Sequence, residues 1–427
     1  MQKHYDAIVI GAGPSGTAAA FDLARAGIST AIIEKHALPR HKTCGGGMPM
    51  LIEQLLELDI LADISPDAFV EADTLFMRHT YNFAEPVLAP MNAEGETRPL
   101  SLWMVQRSVF DNALAQRAKN AGAHLLTGYA VRGFESATRK TPMRVFGTGS
   151  DGDWSVTCNT LIGADGANGV IARCAGLRKQ RAMAIAMEVE VPHSWGEGHP
   201  DLRKDVVHLE YGVVPLGYAW VFPKGDHINV GAGVFRPGGR TGRAEGSVKQ
   251  ELRKAILDYM ELLGVPKKEE DLHFFAHPLP IWNGLDRIQT RDNRVLLTGD
   301  SAGLINPFFG DGIMHALKSG KIAAKCIIEG RQKEYTKDIS SEFKKNMDSA
   351  LKLARLFYRW PHICYRYGVT RPGATRTATR LLCGEAVFQD IAARAIRRLR
   401  SGMKAEGIAD DPIQIDTVGS APADSEA

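Results

Sequence analysis

The chain has 427 residues, of which 44% are hydrophobic and 24% charged, as in a globular protein large enough for two packed domains plus an extension. Its formal net charge is only +3, and no basic stripe interleaved with aromatic residues occurs in the first three quarters, so we expect no nucleic-acid partner. No apolar run approaches the about 18 residues of a spanning helix, so neither export nor a transmembrane anchor is predicted.

The cysteines show neither a pairing pattern nor a metal-ligand pattern. They are Cys44, Cys158, Cys174, Cys326, Cys364 and Cys383. No C-x-x-C pair occurs, so neither a zinc site nor an iron–sulfur cluster has its usual spacing, and we expect no metal. This usage indicates a reducing compartment, and the expected location is the cytoplasm.

The N-terminal segment predicts a strand at residues 5–10, a helix at 17–26 and a second strand at 30–34. In the turn between strand and helix, Gly11 allows the tight bend and Gly13 lets backbone approach a pyrophosphate. Gly16 permits close contact of helix and strand. Glu34 ends the second strand, where a carboxylate suits a ribose diol. The pattern predicts a dinucleotide site at the start of the helix.

The middle of the chain changes from helix to alternating strand. Residues 105–122 predict a helix whose apolar face consists of Val109, Phe110, Ala113, Leu114 and Ala118. Between residues 182 and 235, apolar and polar residues alternate between Pro and Gly turns, which indicates an antiparallel sheet on the substrate side.

Nucleotide-type features return at residues 294–324. A buried strand ends at Asp300, whose carboxylate can accept hydrogen bonds from ribityl hydroxyls. Gly312 and Ile313 begin a helix whose backbone amides can face the electron-rich edge of a flavin ring. These features favour FAD over NAD.

The predicted fold class is α/β: a Rossmann-type FAD-binding domain with an inserted antiparallel-sheet substrate domain and a C-terminal helical extension. The FAD-binding domain takes residues 1–180, with a short substrate-domain excursion near 70–100, and is completed by 291–330. The substrate domain takes 181–290, the helical region 331–408, and a disordered tail 409–427.

A basic segment in the helical region has two interpretations. Its charged residues are Arg394, Arg397, Arg398, Arg400 and Lys404, interrupted by Ile391, Ala395, Ile396 and Leu399. It predicts either an amphipathic helix that contacts an anionic membrane surface, on the inner face, or a helix packed on the protein with solvated arginines.

Together these motifs resemble the FAD-dependent geranylgeranyl reductase family of p-hydroxybenzoate hydroxylase-like flavoproteins, over roughly residues 5–324. Beyond the glycine turn, the resemblance rests on the segments KTCGGG (42–47), MVQR (104–107), GADGAN (163–168), YAWVFP (218–223) and residues 299–313. It departs at Gly169, where the family usually has a serine. The residues that it implies for FAD are Gly11, Gly13, Ser15, Gly16, Glu34, Cys44, Gly45, Gly47, Arg107, Ala130, Asp300, Gly312 and Ile313.

Alternation along one strand points Tyr218, Trp220 and Phe222 to the same face. Composition alone favours an aromatic core strand, whereas the resemblance implies the wall of a prenyl cavity. An unactivated alkene has no carbonyl to stabilise a carbanion, and aromatic faces can stabilise positive charge at a tertiary carbon. The resemblance also places Cys44 near the active site as a catalytic, proton-handling residue, while a small packing residue is the alternative.

The implied reaction is reduction of carbon–carbon double bonds of a geranylgeranyl or other prenyl chain by hydride from reduced flavin. The implied substrate is a prenyl-chain lipid or a prenyl diphosphate. No second G-x-G-x-x-G follows a strand and opens a helix to offer a separate nicotinamide nucleotide domain, so the electron donor is open between transiently bound NADPH and reduced ferredoxin. A flavin monooxygenase, a halogenase and a non-catalytic flavoprotein are the alternatives.

Overall fold

The computed structural model describes residues 4–50, 65–138, 141–179, 182–235, 245–265, 267–284 and 286–406. The disordered tail predicted at 409–427 lies outside these residues. Within the described ranges, no helix is both long enough and apolar enough to cross a membrane.

The strands of the described residues are β1 (His4–Ile10), β2 (Thr30–Glu34), β3 (Gly47–Pro49), β4 (Val70–Thr74), β5 (Phe76–Tyr81), β6 (Ala84–Pro90), β7 (Leu102–Val105), β8 (His124–Thr127), β9 (Ala130–Glu135), β10 (Met143–Gly149), β11 (Gly152–Gly163), β12 (Ala182–Pro192), β13 (Val206–Tyr211), β14 (Gly217–Pro223), β15 (His227–Val234), β16 (Phe275–Ile281) and β17 (Val295–Leu297).

The α-helices of the same residues are α1 (Pro14–Arg25), α2 (Arg107–Asn120), α3 (Ile171–Cys174), α4 (Glu245–Leu262), α5 (Ile313–Ile328), α6 (Tyr335–Arg359), α7 (Pro361–Cys364), α8 (Ala374–Leu382) and α9 (Phe388–Ala405). Short 3-10 turns cover Pro66–Ala68, Glu269–Asp271, Gly299–Ala302 and Gln332–Glu334, and a π-helical turn covers Tyr365–Val369.

The first sheet has the order β8-β2-β1-β11-β10-β9, with β17 beside β11. Strands β8, β2, β1, β11 and β17 run parallel, as expected for strands joined by helical crossovers. The predicted strand–turn–helix–strand unit is confirmed, although α1 begins earlier than predicted. The late strand β17 extends the sheet begun by β1, so distant parts of the chain complete one layer.

Helices α1 and α5 pack against each other with their backbones in close contact. A Cβ added at Gly320 of α5 would lie 2.1 Å from the backbone oxygen of Ser15 in α1. Only a glycine allows the two backbones to approach so closely.

The second sheet has the order β16-β12-β15-β14-β13-β5-β6. Its strands pair antiparallel, as predicted, except that β13 and β5 run parallel with Val206 opposite Phe76. The antiparallel sheet predicted for residues 182–235 is confirmed, because all strand pairs within that range are antiparallel. The parallel pair joins this range to β5, which lies outside it. This pair can be parallel because β5 reaches the sheet through a long connection rather than a hairpin, and hairpins are what enforce antiparallel pairing. A small third sheet has the order β3-β7-β4.

The structure corrects one residue of the apolar face that was predicted for helix α2. Phe110, Leu114 and Ala118 are buried, but Val109 is 41% exposed. Positions separated by four residues share a helix face, whereas Val109 is turned about 100° away from Phe110. The buried face also carries charged side chains, which composition-based reasoning does not assign to a core.

The C-terminal helices pack against the protein through the apolar side of α9. Leu399 and Met403 are buried in a cluster with Phe357 of α6, while Ala395 and Ile396 pack against the same cluster. The arginines Arg394, Arg397 and Arg398 are exposed. The apolar face predicted for the membrane therefore lies against the protein, because burying it there removes it from water equally well.

Candidate functional site

A cavity of about 1250 Å³ is lined by residues of both large sheets and of the C-terminal helices. Of the site residues predicted from the sequence, only Gly16 does not line it. The others line the cavity together: Gly11, Gly13, Ser15, Glu34, Cys44, Gly45, Gly47, Arg107, Ala130, Tyr218, Trp220, Phe222, Asp300, Gly312 and Ile313.

At one end, called here the nucleotide end, the wall is the glycine turn before α1. Gly11 has φ +103°, and a Cβ there would lie 2.4 Å from the backbone oxygen of Ala164. A Cβ at Gly16 would lie 2.1 Å from the backbone oxygen of Gly11. A Cβ at Gly13, by contrast, would have Arg40 Nη2 as its nearest neighbour, at 3.9 Å, so the turn is open toward the cavity. This open backbone next to a helix N-terminus fits the pyrophosphate of a dinucleotide.

A buried charge network stands behind the turn. Glu34 Oε2 accepts a hydrogen bond from Ala12 N at 2.9 Å and lies 3.5 Å from Arg40 Nε. Asp111, which is fully buried, accepts from Arg40 Nη1 at 3.2 Å and from Arg107 Nε and Nη2 at 2.9 and 3.0 Å. Burial opposes the charge of Arg107, but Asp111 raises the pKa of the guanidinium above its ordinary value.

Sequence reasoning missed Arg40 and Asp111. The i,i+4 spacing of Arg107 and Asp111 on a predicted helix is a local signal for their ion pair. Arg40 lies in a loop and carries no such signal.

The late segment of the chain completes the nucleotide end. Asp300 lies in the 3-10 turn whose first residue, Gly299, has φ +55° and packs on Ser15. Gly312 caps α5, and a Cβ there would lie 3.6 Å from Asp300 Oδ1. The N-terminus of α5 thus opens into the cavity beside Asp300, and its free N–H groups and positive dipole suit an electron-rich ring edge.

The departure at Gly169 has a physical explanation. Asp165 Oδ2 accepts from Ile171 N at 3.0 Å, and Asp165 Oδ1 accepts from Ser301 Oγ at 2.9 Å. A Cβ at Gly169 would lie 2.2 Å from the Asp165 carboxyl. The carboxyl group therefore occupies the space of a serine side chain, and only glycine fits.

At the other end, Tyr218, Trp220 and Phe222 of β14 line the cavity side by side; they are called here the aromatic face. Successive ring centroids are 5.9 and 6.0 Å apart. Tyr218 Oη donates to the backbone oxygen of Phe309 at 2.6 Å, and Trp220 Nε1 donates to Asn229 Oδ1 at 2.9 Å. These bonds satisfy the polar atoms and fix the ring orientations.

Further rings extend this end of the cavity. Phe235 stacks on Tyr218 and also on Tyr358 of α6, with centroids 5.3 Å apart in both pairs. Phe357 and Val369 continue the apolar wall into the C-terminal helices. Because these rings come from distant segments, sequence reasoning did not assign them to the site.

The segment around Cys44 and Gly45 joins the two ends. A Cβ at Gly45 would lie 2.6 Å from the Phe222 ring and 3.2 Å from Trp220 Nε1. Lys224 Nζ, which is buried, donates to the backbone oxygens of Gly45 at 2.7 Å and Val105 at 2.9 Å. Burial lowers the pKa of Lys224, and the neighbouring carboxylates and Cys44 oppose that shift.

Cys44 itself is half-buried. Gly46 N donates to Cys44 Sγ at 3.4 Å, and Cys44 N donates to Glu188 Oε1 at 2.7 Å. The Arg107 guanidinium also reaches the thiol. The backbone N–H of Cys44 is therefore directed to β12, and its thiol lies within electrostatic reach of Arg107, Lys224 and Tyr218.

Comparison with protein families gives one match over most of the chain. A family model described as an FAD binding domain matches residues 4–329. Among curated relatives, the chloroplastic geranylgeranyl diphosphate reductase of Arabidopsis thaliana is 30% identical over 76% of this chain and 66% of its own length.

Two solved structures share the fold. A geranylgeranyl bacteriochlorophyll reductase-like protein of Thermoplasma acidophilum has a TM-score of 0.71 and 21% identity, covering 95% of this chain and all of its own. A flavin-dependent brominase has a TM-score of 0.69 and 19% identity, covering 95% of this chain and 99% of its own. At these identities the likeness extends to the fold alone.

Proposed function

Because this chain belongs to the FAD-binding domain family, we propose that it is an FAD-dependent reductase that saturates carbon–carbon double bonds of a geranylgeranyl or other prenyl chain. The observation that carries the proposal is the contact of the aromatic face with Gly45, in the segment between the two ends of the cavity. The plant relative is named a geranylgeranyl diphosphate reductase, which supports a prenyl substrate.

FAD would be held along the glycine turn by the open backbone at Gly13 and by Glu34, with Asp300 and the N-terminus of α5 at its flavin end. Bound and reduced, it would supply hydride. Arg107, whose charge Asp111 stabilises, and the half-buried Lys42 lie on this side of the cavity. Burial and then Arg107 lower the pKa of Lys42, while Asp300 opposes that shift and favours the charged ammonium. This balance suits an anionic cofactor.

The aromatic face would bind the reacting part of the prenyl chain. Tyr218 and Trp220 present ring faces that can stabilise positive charge developing at a tertiary carbon. The apolar wall from Phe235 to Tyr358 and Phe357 offers room for the rest of a long hydrocarbon and excludes water.

Cys44 remains our proposed catalytic residue, as a group that shapes the site and handles protons. The electron donor is proposed to be NADPH, bound transiently, or reduced ferredoxin. We also propose that the exposed arginines of α9 mediate peripheral contact with an anionic inner membrane surface, by charge alone, because the apolar side of the helix packs on the protein.

The test is anaerobic turnover. Flavoprotein reduced with dithionite is mixed with geranylgeranyl diphosphate or with a geranylgeranylated phospholipid, and the products are analysed by mass spectrometry. We expect a gain of two hydrogens for each double bond reduced. Unchanged prenyl substrates, together with an oxygenated or halogenated aromatic product when oxygen and halide are supplied, would overturn the proposal in favour of a monooxygenase or halogenase.

A further inference from the structure

Glu188 of β12 is a carboxyl group on the cavity wall that the proposed reaction does not yet use. Its side chain is buried, with the residue 2% exposed, and it lines the cavity. Glu188 Oε1 accepts a hydrogen bond from Cys44 N at 2.7 Å. A buried acid in this position is costly unless it is stabilised or protonated.

The sheet register places Glu188 in line with the aromatic face. Glu188 of β12 lies opposite Gly231 of β15, and Gly231 lies opposite Trp220 of β14. Residues opposite one another on neighbouring strands project to the same face. Gly231 has no side chain, and a Cβ there would lie 2.1 Å from the Trp220 ring, so the indole lies over this glycine toward Glu188.

Burial and the charged and titratable neighbours together bring the pKa of Glu188 close to neutral pH. Burial raises the pKa of Glu188 to about 7, and Glu190 of the same strand adds to the shift. The Cys44 N–H, the side-chain amide of Asn229 and the Lys224 ammonium oppose it. An acid with this pKa exchanges its proton near neutral pH, which is the range that suits proton transfer.

The strand on the other side contributes no positive charge. In β16, Phe275 lies opposite Glu188, and burial lowers the pKa of His277 to about 3, so that histidine is neutral. The Tyr218 hydroxyl already donates to Phe309, and burial raises its pKa. Glu188 is therefore a carboxyl group beside the aromatic face that can give up a proton near neutral pH.

We propose that Glu188 is the proton donor of the reduction, an inference that rests on the proposed function. One alkene carbon would receive hydride, supplied by two-electron-reduced FAD, and the other would take the proton of the Glu188 carboxyl. The N–H bond of the reduced flavin that supplies the hydride, the carboxyl O–H bond and the alkene π bond would break, and two C–H bonds would form. The alkene is reduced, the flavin is oxidised, and the carboxylate regains its proton from water.

The test compares Glu188→Gln with Glu210→Gln. Glutamine preserves the size of Glu188 and can accept from Cys44 N, but it cannot donate a carboxyl proton. Glu210 of β13 is the matched control: it is fully buried, burial raises its pKa to about 7, and it binds Phe83 N and Thr80 without lining the cavity.

Oxidation of the dithionite-reduced flavoprotein by geranylgeranyl diphosphate is followed in single turnover as a function of pH. We expect Glu188→Gln to slow it by about 10²–10⁴-fold, the usual contribution of a general acid, and Glu210→Gln to leave it unchanged. The wild-type rate should fall as pH rises through about 7, and this dependence should vanish in Glu188→Gln. A wild-type rate and pH profile in Glu188→Gln would overturn the inference.

A second measurement does not depend on turnover. Infrared difference spectra of the FAD-loaded protein, titrated across neutral pH, should contain a protonated-carboxyl carbonyl band that is absent from Glu188→Gln and retained in Glu210→Gln. Absence of that difference would overturn the inference even if turnover is slowed. A wild-type protein that shows the band but reduces no prenyl substrate would instead overturn the proposed function, and alkene protonation with it.

Discussion

At the nucleotide end of the cavity the wall is backbone, whereas at the aromatic end it is side chain. Gly11 and Gly13, in one short turn, shape the first by having no side chain. Tyr218, Phe235 and Tyr358 shape the second by stacking across three separate elements. At Gly11 the protein leaves no room for an added Cβ, while a wall of rings can be changed by exchanging one ring for another.

The largest difference between two matched variants should appear within the glycine turn, between Gly16→Ala and Gly13→Ala. Gly16→Ala brings a Cβ to 2.1 Å from the Gly11 oxygen, and overpacking of this kind costs about 1–3 kcal/mol. We expect a lower free energy of unfolding and FAD binding weakened by about 10–100-fold, measured by urea denaturation and flavin fluorescence titration.

Gly13→Ala is the matched variant, because its Cβ enters open space. It should weaken FAD binding while leaving the unfolding free energy of the FAD-free protein unchanged. Equal destabilisation by both alanines would show that the open cradle at Gly13 is misassigned.

The aromatic end should respond in turnover rather than in cofactor binding. Trp220→Phe keeps a ring but removes the hydrogen bond to Asn229 and the larger indole face. We expect about 10-fold slower prenyl reduction, because cation–π stabilisation is worth about 1–2 kcal/mol in a desolvated site. Bound FAD, measured by its absorbance after gel filtration, should be unchanged, and unchanged turnover would remove Trp220 from the proposed mechanism.

We expect low pH to lower the free energy of unfolding because the folded protein buries His79 in its neutral form. Burial lowers the pKa of His79 in β5 from 6.5 to about 4. Between these values the unfolded chain binds a proton that the folded protein does not, so stability falls as pH decreases, by about 1.4 kcal/mol per pH unit from this group. His79→Gln should therefore show a shallower loss of unfolding free energy between pH 6.5 and 4 in urea titrations.

An identical slope in His79→Gln and wild type would contradict a neutral buried His79.

The smallest effect on the rate of prenyl reduction is expected at Cys44, in the segment that joins the two ends of the cavity. Cys44→Ser keeps the backbone N–H that binds Glu188 and changes only the group facing Arg107. We expect a several-fold loss of prenyl reduction, well below the loss in Glu188→Gln, in the same single-turnover assay. A Cys44→Ser protein with the full rate and product pattern would remove the proton-handling role proposed for the thiol.

The same contrast explains how far the sequence predicts this molecule. The strand–turn–helix unit, Glu34 and the return of nucleotide features at Asp300 were predictable, because local backbone requirements demand particular residues at fixed spacing. The α/β class and the second sheet followed from periodicity. The parallel pairing of β13 with β5 did not, because nothing local records which strand a distant segment meets.

Residues that act through tertiary contacts were beyond such reasoning. Glu188 is one of two glutamates in an alternating strand, and only the register with Gly231 and Trp220 distinguishes it. Lys224 becomes informative only when its ammonium is found on the Gly45 and Val105 carbonyls. Val109 was misassigned because an apolar residue on a helix is not by itself evidence of burial.

The close crossing of α1 and α5 at Gly320 has a consequence for how the protein is made. Helix α1 is synthesised before every strand of the second sheet, whereas the glycine against which its Ser15 packs is synthesised only after all of them. Contacts so distant along the chain form late and slowly. The flank of α1 that packs on Gly320 therefore stays uncovered until α5 has been synthesised. The cavity wall that begins at the glycine turn is completed only at that stage, so a ligand that needs both parts of the wall can be held only from then on.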